Sequence, residues 1–183
     1  MSGGLKVLVL GIGNVMFSDE GVGVHLCRLL EQKYAFSSEL HTIAFVDGGT
    51  LAQRLIPIIA EYDYMVLLDC VDAKDGQIGD VYFFDFEEVP PTISWQGSAH
   101  EVEMLQTLMM MDMVGDRPVT KVVGIIPEVV SKTTLEMTKA VIQGSLTMER
   151  VVIEHLKELG FVCEQISQID IQTVANTSCK EER

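Results

Sequence analysis

Apolar residues along this chain fall into two alternating spacings. Residues 5–10 form an almost unbroken apolar run around Lys6, the pattern of a strand buried on both faces. From about 20 to 33 the spacing changes: Val22, Leu26, Leu29 and Leu30 lie on one helical stripe. Residues 42–46 predict a second strand, closed by Asp47-Gly48-Gly49-Thr50. Thr50 is placed to cap a helix reaching about Ala60, with Pro57 disturbing its last turn. Residues 64–68 predict a third strand and 80–84 a fourth. The connection between those two is too short for a helical crossover, so the fourth is expected to run antiparallel. The stretch 85–99 contains Pro90-Pro91 and is no helix, whereas 100–113 has helical character. Residues 121–126 predict the fifth strand, ended by Pro127. A last helix covers about 135–159 with Gly160 as its stop signal, and 164–183 predicts a polar, weakly ordered tail.

Strands alternating with helices predict an α/β fold: a three-layer α/β/α sandwich around a twisted, mostly parallel five-stranded sheet with one antiparallel strand. The chain has 183 residues, 48% of them hydrophobic, enough for one such domain, assigned to residues 1–163. Sites in these folds form beyond the carboxyl ends of the parallel strands. Glu20 follows the first strand and Asp69 ends the third, so both belong on that edge. A fifth strand parallel to these starts at the opposite edge. The helix before it therefore begins at the carboxyl edge and brings His100 there. The 85–99 connection can cross the sheet, since an extended residue spans about 3.3 Å.

Two carboxylates and an imidazole from separate loops suit zinc or nickel at ~2.0–2.2 Å, with a position left open. Each residue alone has a plainer reading. Asp19 and Glu20 would stabilise the dipole of a following helix, Asp69 would be a polar strand end, and His100 would open a helix. Asp72 could serve in either way. His25, His41 and His155 are expected on a helix, a strand approach and the terminal helix, and fit a metal site poorly. Asp47-Gly48-Gly49-Thr50 is most simply a turn, yet it lies on the same edge, and its glycines leave room for a partner's backbone.

Other chemistries find less support. Gly11-Ile12-Gly13 lacks the third glycine of a dinucleotide loop, since Met16 stands there, and no Walker-type cradle exists. Cys70 has no readable Cys–His–Asn pattern and reads as a buried thiol, and Ser98 lacks a GxSxG elbow. Met104, Met109, Met110, Met111 and Met113 include a core pair, Met104 and Met111, and others that would face outward to receive a partner. A formal net charge of −14 argues against nucleic-acid and anionic-membrane partners. No apolar run approaches the ~20 residues needed to span a bilayer, and no signal-type leader opens the sequence. Four scattered cysteines favour reduced thiols and a cytoplasmic protein.

Taken in order, these motifs resemble the [NiFe]-hydrogenase maturation endopeptidases. The resemblance rests on Gly11-Ile-Gly-Asn14 with Asp19-Glu20-Gly21-Val-Gly23, Asp47-Gly-Gly-Thr50, and Leu68-Asp69 with Asp72-Ala73. It continues through Glu88-Val-Pro90, Ser98-Ala-His100 and Gly124-Ile-Ile-Pro-Glu128, spanning about residues 5–160. It implies a cytoplasmic protease that removes a C-terminal extension from the nickel-loaded large-subunit precursor of a [NiFe] hydrogenase. Glu20, Asp69 and His100 are then the metal-binding residues, with Glu20 and Asp69 catalytic and Asp47, Gly48, Gly49 and Thr50 receiving substrate. The nickel would arrive with the substrate, and zinc or cadmium could occupy the site in vitro. Ala99 departs from a commoner proline before the histidine and should alter loop stiffness more than ligation. The competing readings are a non-proteolytic, metal-sensing chaperone of the same precursor, a spore-type protease with a similar core, and a nucleotide-binding domain. No nucleotide is expected.

Overall fold

Beyond Lys6, every residue of β1 (Lys6–Ile12) is buried, because both faces of this strand are covered. The computed structural model describes residues 3–94 and 99–178, and leaves the side chains of residues 99–101 outside that description. After β1 come a 3-10 turn (Ser18–Gly21), α1 (Val22–Lys33), β2 (Tyr34–Ser37) and β3 (Thr42–Gly49). A second 3-10 turn (Ala52–Leu55) runs into α2 (Ile56–Ile59), and then β4 (Tyr64–Cys70), β5 (Asp72–Ala73), β6 (Val81–Asp85) and β7 (Ile93–Ser94) follow. The remainder is α3 (Ala99–Val114), β8 (Val119–Ile125), α4 (Lys139–Glu158), β9 (Val162–Gln165) and α5 (Ile171–Thr177).

The main sheet has five strands in the order β3-β1-β4-β8-β6. The first four are mutually parallel and β6 is antiparallel to β8, as the short connection after β4 requires. Alternate residues feed two cores. Val7, Val9, Val66, Leu68, Val123 and Ile125 pack with α1, α4 and α5. Leu8, Leu10, Met65, Leu67 and Val122 face the other way, against Leu55, Ile59, Met104, Leu108 and Met111. The molecule is thus the expected α/β/α sandwich.

Five local expectations are revised. The helix expected from Glu20 begins as a 3-10 turn and becomes α-helical only at Val22. Thr50 caps nothing: the second helical segment starts after Leu51, and Pro57 sits in the first turn of α2, where its missing N–H costs least. The last helix starts at Lys139, leaving 127–138 as a loop. A strand absent from the prediction, β2, pairs antiparallel with β9, so Tyr34 faces Gln165 and Ser37 faces Val162. The expected weakly ordered tail is structured through residue 178: α5 buries Ile171, Val174 and Ala175 in the first core, and its N-cap Asp170 accepts from Thr173 N at 2.9 Å. Few apolar residues mark that segment, but their spacing of three and four makes one small stripe.

Candidate active site

The carboxyl edge is organised by close backbone approaches. A β-carbon on Gly23, in the first turn of α1, would stand 2.3 Å from Leu68 O and 2.5 Å from Ile12 O. Only glycine lets α1 rest on the ends of both β1 and β4. Gly13 adopts φ +138°, and a β-carbon there would meet Glu20 O at 1.9 Å. A β-carbon on Gly11 would likewise meet Gly23 O at 2.3 Å, so Gly11 and Gly13, the two glycines of the incomplete dinucleotide loop, are packing positions that seat α1 and the Ser18–Gly21 turn on the sheet.

The strand order places a topological switch point between β1 and β4, since β1 connects outward to β3 across one face and β3 returns to β4 across the other. Glu20 follows β1 and Asp69 ends β4, on either side of that point. Both carboxylates are buried, Glu20 with 6% and Asp69 with 0% of its surface exposed. Asp69 Oδ1 accepts from the Cys70 amide at 2.8 Å. The Cys70 thiol is buried, as expected, and donates to Asp19 O at 3.3 Å.

Asp19 does not act as an exposed helix-dipole residue. It is fully buried, and its carboxylate reaches across to the 127–138 loop. Oδ2 accepts from Glu128 N and Val129 N, both at 3.0 Å, and from Thr138 Oγ1 at 2.9 Å, while Oδ1 accepts from Thr138 N at 2.7 Å. Sequence reasoning missed this role. The only local signals are the adjacent Ser18 and the clustered threonines of the loop.

Asp47 forms an ion pair with Arg28, and its Oδ1 accepts from Gly49 N at 3.0 Å. Gly49 has φ +56° with open space where a β-carbon would stand, and its carbonyl accepts from Gly13 N at 2.9 Å. Asp47–Gly49, expected as a turn, is the end of β3, paired with Gly11 and Ile12 and so tied to the same edge as Glu20. Gly48 instead abuts Leu55, Ile12 and Leu10, and is a core contact. Thr50 is half-buried beside it.

His100 lies in the first turn of α3, and its side chain falls outside the described part, as does Ser98 altogether. The start of that helix is at the carboxyl edge: Ser94 pairs with Asp72, just beyond β4, and Gln53 N donates to Glu103 Oε1 at 3.4 Å. The remaining histidines stand elsewhere or serve otherwise. His41 Nδ1 accepts from Leu5 N at 2.9 Å, and His155 is joined to the Tyr64 hydroxyl at 2.8 Å. His25 is fully buried, and neither ring nitrogen has a hydrogen-bond partner among the described residues. Burial first, then Arg28, lowers its pKa to about 4, against an opposing pull from Asp47. Among the described residues, no three His, Cys, Asp or Glu side chains gather closely enough to hold a metal ion. The two buried carboxylates are hard anionic donors, and with an imidazole they match a borderline divalent cation.

Fold and edge define a class: an α/β/α protein with two buried acids flanking the switch point of its sheet. The sequence model of the hydrogenase maturation protease family matches residues 24–155. Protein HydD of Wolinella succinogenes is 52% identical over 152 residues, covering 82% of this chain and 93% of that protein. The hydrogenase 2 maturation protease of Escherichia coli is 30% identical over 125 residues, covering 68% of this chain and 74% of that one. The hydrogenase-maturating endopeptidase HybD from E. coli superposes with a TM-score of 0.77 at 28% identity, covering 88% of this chain and 98% of the other. This chain belongs to the hydrogenase maturation protease family and is a hydrolase of peptide bonds. No helix among the described residues is long and apolar enough to cross a membrane.

Proposed function

We propose that this protein is the cytoplasmic endopeptidase that cuts the C-terminal extension from the nickel-loaded large-subunit precursor of a [NiFe] hydrogenase. The observation that carries this reading is the pair of buried carboxylates, Glu20 and Asp69, on either side of the β1/β4 switch point. Nickel held by the precursor is part of the substrate. Glu20, Asp69 and His100 would hold that ion from three elements, and bound there it would supply Lewis-acid polarisation at the scissile bond. One of the two carboxylates takes the proton from the attacking water, helped by an interior that strengthens its interactions. The substrate backbone runs beside Asp47-Gly48-Gly49-Thr50, where Gly49 leaves open space above the chain. Zinc or cadmium added to the isolated protein competes for the same donors.

The test incubates the protein with nickel-loaded and with nickel-free precursor and follows the intact mass. A C-terminal mass loss only with nickel is the expected result. Glu20→Gln and Asp69→Asn should each slow processing by roughly 10²-fold or more while circular dichroism shows a retained fold. An unchanged mass despite measurable binding would instead make the protein a metal-sensing chaperone of that precursor.

A further inference from the structure

Glu20 sits on a turn of only four residues, Ser18–Gly21, with no side-chain cap of its own. The backbone of the turn is held from outside it. Ser18 is in the left-handed region at φ +50°, an unusual conformation for a residue other than glycine. Its amide donates to Thr134 O and its hydroxyl to Glu136 O, both at 2.8 Å. The Asp19 amide donates to Val129 O at 3.1 Å, and the Asp19 carboxylate accepts the four bonds from Glu128, Val129 and Thr138. The Asp19 carbonyl takes the thiol of Cys70, the residue after Asp69. Asp19 is thus joined to Glu20 by one peptide bond and to the neighbour of Asp69 by one hydrogen bond.

We infer that Asp19 is a positioning residue for peptide cleavage, fixing the Glu20 carboxylate relative to Asp69 by clamping the turn between β4 and the 127–138 loop. This rests on the reading of Glu20 and Asp69 as the substrate-gripping pair. Three features separate a clamp from ordinary burial. Both carboxylate oxygens are used, so any rotation other than the equivalent half-turn breaks bonds. Charge-assisted bonds are short and about twice as strong as neutral ones, which makes the clamp stiff. Finally, the donors are two adjacent main-chain amides and the whole N-cap residue of α4, so the long helix on the first core backs the clamp. The Thr138 side chain is spent on Asp19 and not on its own helix.

The exchange Asp19→Asn tests this with little change of shape. An amide has one acceptor oxygen, so it cannot serve both the Oδ2 donors and Thr138 N–H. A milder pair brackets it: Thr138→Val removes only the Oγ1 bond, and Thr138→Ser keeps it. Processing of nickel-loaded precursor is measured at a temperature where urea titration shows every variant folded. Asp19→Asn should lower kcat by roughly 10- to 100-fold with KM within about twofold. Thr138→Val should lower kcat by about threefold, and Thr138→Ser should restore it. A folded Asp19→Asn protein with wild-type kcat would overturn the proposal, and so would a loss confined to KM. If Asp19→Asn does not fold, Thr138→Val decides: no kcat change, or one that Thr138→Ser fails to restore, overturns it equally. Glu20→Gln runs alongside. Should that variant process normally, the underlying site reading falls, and a kcat effect at Asp19 would have to be explained another way.

Discussion

Asp19 and Glu149 are both buried acids, and the chain accommodates them in opposite ways. Glu149, on α4, is 6% exposed and lies 2.7 Å from the Lys33 ammonium and 2.6 Å from the Tyr34 hydroxyl. Burial, reinforced by the Glu149 carboxylate, pushes the Tyr34 hydroxyl above its usual range, so it remains a donor. Asp19 takes its four bonds from neutral groups, three of them main-chain amides. A lysine partner is a flexible point charge that can turn away to water when its acid is removed. Main-chain amides in a loop cannot turn away without moving the loop. An ion pair of the first kind joins two surfaces, whereas a carboxylate ringed by amides fixes a backbone path. The second arrangement is the one found beside the proposed site.

Removing each acid should expose that difference. Asp19→Ala strands several buried donors at once and should cost on the order of 3–5 kcal/mol in urea unfolding, with processing lost. A cost below about 1 kcal/mol would mean that the loop repacks freely and that the two acids are equivalent. His25 supplies a third case, a buried titratable group with no hydrogen-bond partner among the described residues. Its pKa falls from 6.5 to about 4 on folding, so the unfolded chain binds the extra proton between those values. That contribution is fully present above about pH 6.5 and is lost as pH falls toward 4, amounting to about 2 kcal/mol between pH 7 and pH 5. His25→Leu should flatten the dependence, and an acid limb as steep as wild type would show that other groups carry it. Glu149→Gln should be the mildest, about 1 kcal/mol in Tm-derived stability with unchanged kcat, because Lys33 retains a path to solvent. A kcat loss there would show that an ion pair on α4 also positions the site.

Much of the fold was legible because it is written in local periodicity. The buried run of β1, the helical stripe of α1, and the short connection that makes β6 antiparallel all depend on residues close in sequence. The placement of Glu20 and Asp69 on one edge also followed, since topology alone assigns strand ends to edges. The methionines of α3 divide as their spacing suggested: Met104 and Met111 are buried, while Met109, Met110 and Met113 are exposed. What was misread depended on distant partners. Asp19 looked like a helix-start acid because Thr138 is 119 residues away. The pairing of β2 with β9 was invisible for the same reason, each strand being too short to announce itself.

The sequence by itself determined the five strands of the main sheet and their order along the chain, their two-sided burial, and the edge on which the acidic residues stand, because hydrophobic spacing and connection length act over a few residues. Tertiary structure alone decided that Gly11 and Gly13 are contact points and not a phosphate loop, that α5 belongs to the core, and that Asp19 faces inward to the 127–138 loop. Those outcomes depend on which backbone atoms meet once the sheet has closed. A carboxylate's partner is set by that meeting, and no local pattern encodes it.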